Sequence, residues 1–169
     1  GRSMTFNAVL DPFVQFLRPL PKLALIPLVV VWFGIGEFSK FVLIYLATVL
    51  TVIASSAAAV ESVPEGRIRA AQTLGAGRAQ MFFHVILPSA LPELFTGVRM
   101  AIGIGWTTLI AAEMIAASSG LGWMVMNASS YLRTDIVMLG ILLLGGLGYL
   151  IDLSLVRVQR MTVHWAGQT

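Results

Sequence analysis

Arg99, Gly103, Trp106, Ile110 and Glu113 recur every three or four residues inside an otherwise apolar stretch, so on a helix they share one stripe. Ionisable side chains within a membrane-spanning helix are costly and face the bundle interior or water. The stripe is therefore the first candidate for a path through the chain. Trp106 falls near the middle of the stretch, where its face could hold a cation by a cation–π contact worth about 0.5–2 kcal/mol. Helix packing explains it equally well. Glu113 lies 14 residues beyond Arg99, roughly 20 Å further at about 1.5 Å per residue. There it gates access or caps the following turn, and both readings stay open. Arg99 itself is read as an anchor whose guanidinium snorkels to the near interface, not as a ligand.

Other chemistries have little to build on. With 0 Cys and 2 His there is no disulfide, no thiol nucleophile and no His-rich metal site. No catalytic residue and no metal ligand is assigned. A hydrolase would have to use Ser118, Ser119, His84 and His164, and the topology derived below puts both His on one side and the Ser pair on the other. No Gly-x-Ser-x-Gly occurs. No Gly-x-x-x-x-Gly-Lys-[Ser/Thr] occurs either, so no nucleotide is expected on a phosphate loop of this chain.

The elements that carry these residues follow from composition. Of 169 residues 57% are hydrophobic and 11% charged, less than half the usual share of roughly 25%. Mean hydropathy is +0.87. Too few polar residues remain to cover one soluble core, and disorder needs the opposite balance. The pI near 9.8 does not signal nucleic acid, because the 11 basic residues are scattered between long apolar runs. The chain reads as an all-α integral membrane protein with spans at about 22–36, 40–60, 95–117 and 136–156, at roughly 20 residues per crossing. The first is interrupted by Pro27, and the last is completed by Leu153, Leu155 and Val156 beyond Asp152. With alternate crossing, Arg2, Arg18, Lys22, Arg67, Arg69, Arg78, Arg99, Arg157 and Arg160 fall on one side, against Lys40 and Arg133 on the other. Nine against two puts both ends and the 61–94 loop in the cytoplasm. Gly1-Arg2-Ser3-Met4 does not open like a signal peptide, and no internal repeat is seen, which argues against a secondary transporter built from paired broken helices.

The 61–94 loop is too polar to span. Pro64-Glu65 can open a helix, with Ile68, Ala71 and Leu74 on one face until Gly75-Ala76-Gly77 breaks it. A second short helix is expected from Arg78, apolar at Met81, Phe82, Val85 and Ile86, and stopped by Pro88 and Pro92. Small residues at Ala70, Ala71 and Gly75 leave room for a partner's backbone. Gly97-x-x-x-Ala101 and Gly140, Gly145, Gly146 and Gly148 form further small-residue surfaces, suited to a second copy or to internal packing.

Arg69-Ala70-Ala71, three residues, Gly75, nine residues and Val85-Ile86-Leu87-Pro88 resemble the EAA motif of bacterial ABC import permeases, Glu-Ala-Ala, three residues, Gly, nine residues, Ile-x-Leu-Pro. The spacing matches throughout. Arg69 replaces the motif's Glu and Val85 its Ile, so no acidic contact with an ATPase is carried over to position 69. Leu25-Ile26-Pro27-Leu28, Trp32 to Glu37, Ser39-Lys40, Ile86 to Pro92, Ala112-Glu113 and Gly120-Leu121-Gly122 are similar to the nitrate, sulfonate and taurine permease branch. Arg67 to Gln72, Pro92-Glu93 and Val163-His164-Trp165 are most similar to its taurine permeases.

The resemblance implies a type I ABC importer permease fold, of which four of the usual six helices are expected here, since Gly1 to Pro12 looks like the loop after the second. It implies a permease subunit, not an enzyme, with ATP bound by a separate cytoplasmic ATPase and no cofactor of its own. The implied partners are that ATPase, a periplasmic binding protein and a second permease copy, in a bacterial inner membrane. Arg69, Ala70, Ala71, Gly75, Leu87 and Pro88 would form the ATPase-coupling loop. Trp106, Thr107, Thr108 and Glu113 would line the path of taurine or a related sulfonate, with Trp106 toward the ammonium and the two Thr hydroxyls donating to sulfonate oxygens. Nitrate or another organic anion is the alternative cargo.

Overall fold

Uninterrupted apolar runs become long helices, because a backbone that leaves water must satisfy its own polar groups. The computed structural model describes residues 22–163. Arg2, Arg18, Leu10-Asp11-Pro12 and His164-Trp165, used above for orientation and resemblance, lie outside the described residues. Within them the regular structure is helical. A 3-10 turn, Lys22–Leu25, leads into α1 (Ile26–Phe33), followed by α2 (Glu37–Glu61), α3 (Glu65–Thr73) and α4 (Arg78–Met81). A π-helical turn, Phe82–Ile86, then joins α4 to α5 (Leu87–Ala116), and α6 (Leu121–Ser130) and α7 (Thr134–Thr162) complete the order.

Among the described residues three helical rods are long and apolar enough to cross a membrane: Glu37–Glu61, Arg78–Ala116 and Thr134–Thr162. The 22–36 segment, expected as a fourth span, is not among them. Pro27 stands at the start of α1, and Gly34, at φ +77°, ends it after eight residues. With the 3-10 turn this covers roughly 20 Å, short of about 30 Å of hydrocarbon. Ser39 donates its hydroxyl to the Gly34 carbonyl and holds the turn into α2.

Pro88 and Pro92 do not stop the helix that starts at Arg78, contrary to expectation. The rod runs through both for 39 residues. A proline inside an α-helix lacks its N–H and crowds the carbonyl four residues back. Widening the preceding turn relieves this: the Leu87 N–H donates to the Phe82 carbonyl, five residues back, just before Pro88. At about 1.5 Å per residue the rod is roughly 58 Å long, nearly twice the hydrocarbon thickness of about 30 Å, so part of it must project beyond the bilayer.

The chain divides into two units. The first takes in the described residues 22–50 and 104–144. Its core sets Ile26 and Val29 of α1 against Leu43 of α2 and Ala112 and Ala116 of α5. The second takes in 51–103 and the described residues from 145, and its core sets Ala59 and Val63 against Ala90, with Ile68, Ile86 and Leu94 around them. Large apolar side chains point outward, as at Val31 (80% exposed) and Leu142 (70%), while many buried positions are alanine or glycine. Such an inversion suits lipid as the solvent, where small residues bring helices together.

Candidate functional site

The second unit presents the loop. α3 ends in a Schellman arrangement: Ala76 N–H donates to the Ala71 carbonyl (3.1 Å) and Gly75 N–H to that of Gln72 (3.0 Å). Gly75 takes φ +79°, a left-handed conformation that L side chains rarely adopt. A Cβ there would meet nothing within 4 Å, so the glycine is required by its backbone and leaves open space outside. The chain then turns at Gly77, whose N–H donates to Gln80 Oε1 (3.0 Å) and starts α4.

Of the face predicted from Ile68, Ala71 and Leu74, Ile68 packs on the core and Ala71 is half-buried, but Leu74 is 88% exposed. It caps α3, where the helical period no longer governs its direction. Arg69 and Ala70 are exposed, and Arg69 pairs with Glu65 one turn earlier (2.6 Å). That pair is fully on the surface, so it contributes little to stability and leaves Arg69 available to a partner. Arg67 donates to the Ser89 hydroxyl (3.3 Å), tying the outer loop to the start of α5. Leu87 and Pro88 are half-buried at the π-to-α junction. They set the direction of the protrusion, while Ala70, Leu74, Gly75 and Phe83 form its exposed surface.

The first unit holds Trp106, Thr107, Thr108 and Glu113, all on α5. Successive residues of a helix are about 100° apart, so the four cannot share a face. Gly105, Thr108, Ala112 and Ala116 are buried. Gly105 lies over Thr48 and Ile44 of α2, where an added Cβ would stand 3.0 Å from Thr48 Cγ2. Trp106 and Glu113, both half-buried, lie roughly 100° round the helix from that face. Thr107 and Thr108 both donate to the Ile104 carbonyl (2.9 and 2.8 Å), so neither hydroxyl proton points at a ligand as the sequence reading required.

Glu113 shows which of its two roles the geometry supports. Its Oε2 accepts the N–H of Gly122 (2.8 Å), in the first turn of α6. A carboxylate there meets the positive end of the helix dipole. The two glycines of Gly120-Leu121-Gly122 make the fit possible: a Cβ at Gly120 would lie 2.5 Å from Glu113 Cδ, and one at Gly122 would lie 2.7 Å from the Ile110 carbonyl oxygen. The contact is a helix cap.

Spacing alone did not reveal Asp152. In the second unit Arg99 and Asp152 form a two-pronged pair: Nε to Oδ1 at 3.0 Å, and Nη2 to Oδ1 and Oδ2 at 2.8 and 2.9 Å. Arg99 is therefore engaged with a carboxylate on α7 rather than snorkelling alone. The signal was a lone acid in the last apolar run, which calls for a cation at matching depth. Gly97, read as suited to a second copy or to internal packing, lies against Ser55 of the same unit, whose side chain an added Cβ would strike. The space beside Gly140 is likewise occupied, by Val125, whereas a Cβ added at Gly145 or Gly146 would meet nothing beyond its own helix within 4 Å among the described residues.

Comparison with known proteins gives a match of residues 1–163 to the family described as binding-protein-dependent transport system inner membrane component. The taurine transport system permease protein of Escherichia coli (strain K12) is 51% identical over 168 residues, covering 99% of this chain and 61% of that protein. A putative aliphatic sulfonates transport permease protein of the same organism is 42% identical over 157 residues, 93% of this chain and 60% of that protein. The bicarbonate transport system permease protein of Synechococcus elongatus is 31% identical over 161 residues, 95% of this chain and 58% of that protein. The chain thus spans about three-fifths of the length of these relatives.

Proposed function

This chain belongs to the family of binding-protein-dependent transport system inner membrane components, and from that premise we propose that it serves as the permease subunit of an ATP-driven importer for taurine or a related sulfonate. It is a multi-pass inner-membrane protein. The observation that carries the transport reading is the loop: two short helices about a left-handed Gly75, exposed at their tip and continuous with a rod long enough to cross the bilayer. A separate cytoplasmic ATPase seats this loop and binds the ATP, so the permease itself needs no cofactor. Motion of that ATPase enters the membrane along the Arg78–Ala116 rod. A periplasmic binding protein delivers the cargo, and a second permease copy completes the path, with the open Gly145-Gly146 surface of α7 suited to close approach.

Trp106 is the residue proposed to meet the cargo, through a cation–π contact with the ammonium of taurine. Thr107, Thr108 and Glu113 are not assigned to the ligand, since each already spends its polar group inside the fold. Nitrate or another anion is the second reading, supported by the bicarbonate permease among the similar proteins. The deciding experiment is ATP hydrolysis in proteoliposomes carrying this chain, its ATPase and its binding protein, with and without taurine. Stimulation by taurine is the expected result. Stimulation only by nitrate or bicarbonate would move the cargo, and no stimulation by any anion, also when the chain is carried in a permease of the relatives' full length, would end the transport reading.

A further inference from the structure

The second unit ties α7 to the loop-bearing rod at two points. Arg99 holds Asp152 by three hydrogen bonds of 2.8–3.0 Å, and Gln159 Nε2 donates to the Pro92 carbonyl at 3.5 Å. The first tie is strong and charge-assisted; the second is long and weak. Their numbering is informative. From Pro92 to Arg99 is seven residues, and from Asp152 to Gln159 is also seven, running the opposite way. The two helices are therefore antiparallel and in register over two turns, roughly 10 Å at about 5.4 Å per turn. A planar guanidinium on a carboxylate resists both sliding and rotation, since either motion breaks more than one bond at once.

The arrangement also explains a cost. Asp152 lies within the final apolar run, and Arg99 within the apolar part of α5. Each charge alone would burden its helix in a bilayer, and each removes the other's burden. A pair kept only for solubility could sit anywhere along the two helices. This one lies two turns beyond Pro92, on the same rod that carries the loop. A push on the loop reaches Arg99 along an unbroken helix.

We propose that the Arg99–Asp152 pair locks α7 to the loop-bearing rod, so that the two helices move as one body when the loop is displaced. Arg99 and Asp152 are thus positioning residues of the coupling path, acting on the cargo path only through the helices. The proposal rests on the permease reading above, and its test separates the two. The protein has 0 Cys, so a single engineered pair reports cleanly. The antiparallel register places position 96 opposite position 155, and T96C/L155C in the assembled transporter is expected to cross-link in membranes. Cross-linked transporter is expected to keep its taurine-stimulated ATP hydrolysis, because the locked helices have no need to slide.

In the same assay D152N is expected to lose most of the stimulated rate while basal hydrolysis and the amount of assembled complex stay unchanged. The charge exchange R99D/D152R is expected to restore the stimulation, which a double-mutant cycle reads as coupling between the two positions. Loss of stimulation on cross-linking, recovered with reductant, would overturn the proposal by showing that the helices part during the cycle. Full stimulation in D152N would overturn it as well. If the unmodified chain responds to no anion, the permease reading fails; the cross-link, and its weakening in D152N, then still decide whether the pair locks the two helices.

Discussion

Replacing Glu113 by alanine removes the acceptor of the Gly122 N–H and the charge at the first turn of α6 in one step. Gly122 is buried, so water does not readily take the vacant place. A hydrogen bond to a charged group contributes about 1.5–3 kcal/mol, and a carboxylate at a helix N-terminus about 0.3–1 kcal/mol. Together they give about 2–4 kcal/mol against local opening of α6. At about 1.4 kcal/mol per factor of ten, amide exchange in the first turn of α6 should accelerate by between about 30-fold and about 700-fold. Glu113→Gln keeps an acceptor oxygen and loses the charge, worth about 1 kcal/mol, and should accelerate it roughly fivefold. Hydrogen exchange read by mass spectrometry in lipid nanodiscs measures both, with the 37–61 helix as the internal control for global unfolding. Unchanged exchange at 121–130 in Glu113→Ala would refute the capping role. Equal acceleration in both variants would show that the charge carries the whole effect and a neutral acceptor none of it; no acceleration in Glu113→Gln would show that the charge contributes nothing.

Three further predictions follow from glycines. In Gly75→Asp the added Cβ meets no described atom within 4 Å but the residue must hold φ +79°, so membrane insertion should be unaffected while stimulated ATP hydrolysis in the assembled complex is lost; unchanged stimulation would remove the loop from the coupling path. Gly97→Ala puts a Cβ 2.4 Å from Ser55 Cβ and should destabilise by about 1–3 kcal/mol, recovered by Ser55→Gly. Gly145→Ala and Gly146→Ala meet nothing within 4 Å among the described residues, so thermal stability of the monomer should hold while the cross-linked dimer fraction falls; an unchanged fraction would take the second copy away from that surface.

How much of this was legible beforehand depends on whether the determining contact is local. The 41–60 run became a helix over 37–61 because twenty uncharged residues leave the backbone no alternative in lipid. The turn at Gly75 was legible for a similar reason, since few residues accept φ > 0. Pro88 misled because its usual meaning, a stop, assumes an α-helical turn before it; a π turn, which no residue pattern announced, accommodates it. That Thr108 does not share a face with Trp106 was legible by arithmetic: two residues further on means about 200° around the helix. Asp152 failed for a deeper reason. Its partner is 53 positions away, and sequence spacing does not encode which helices become neighbours.

The π turn at Phe82–Ile86 has one more consequence. It amounts to one residue inserted into an α-helix, and a residue is worth about 100° of rotation but only about 1.5 Å of length. The protrusion and the span are therefore phased to one another as well as joined. Excising a single residue between 82 and 86 would barely shorten the rod, yet it would swing Met81 out of its buried seat and aim the exposed tip at a different compass bearing. A partner that reads the tip would find it at nearly the right height, facing the wrong way.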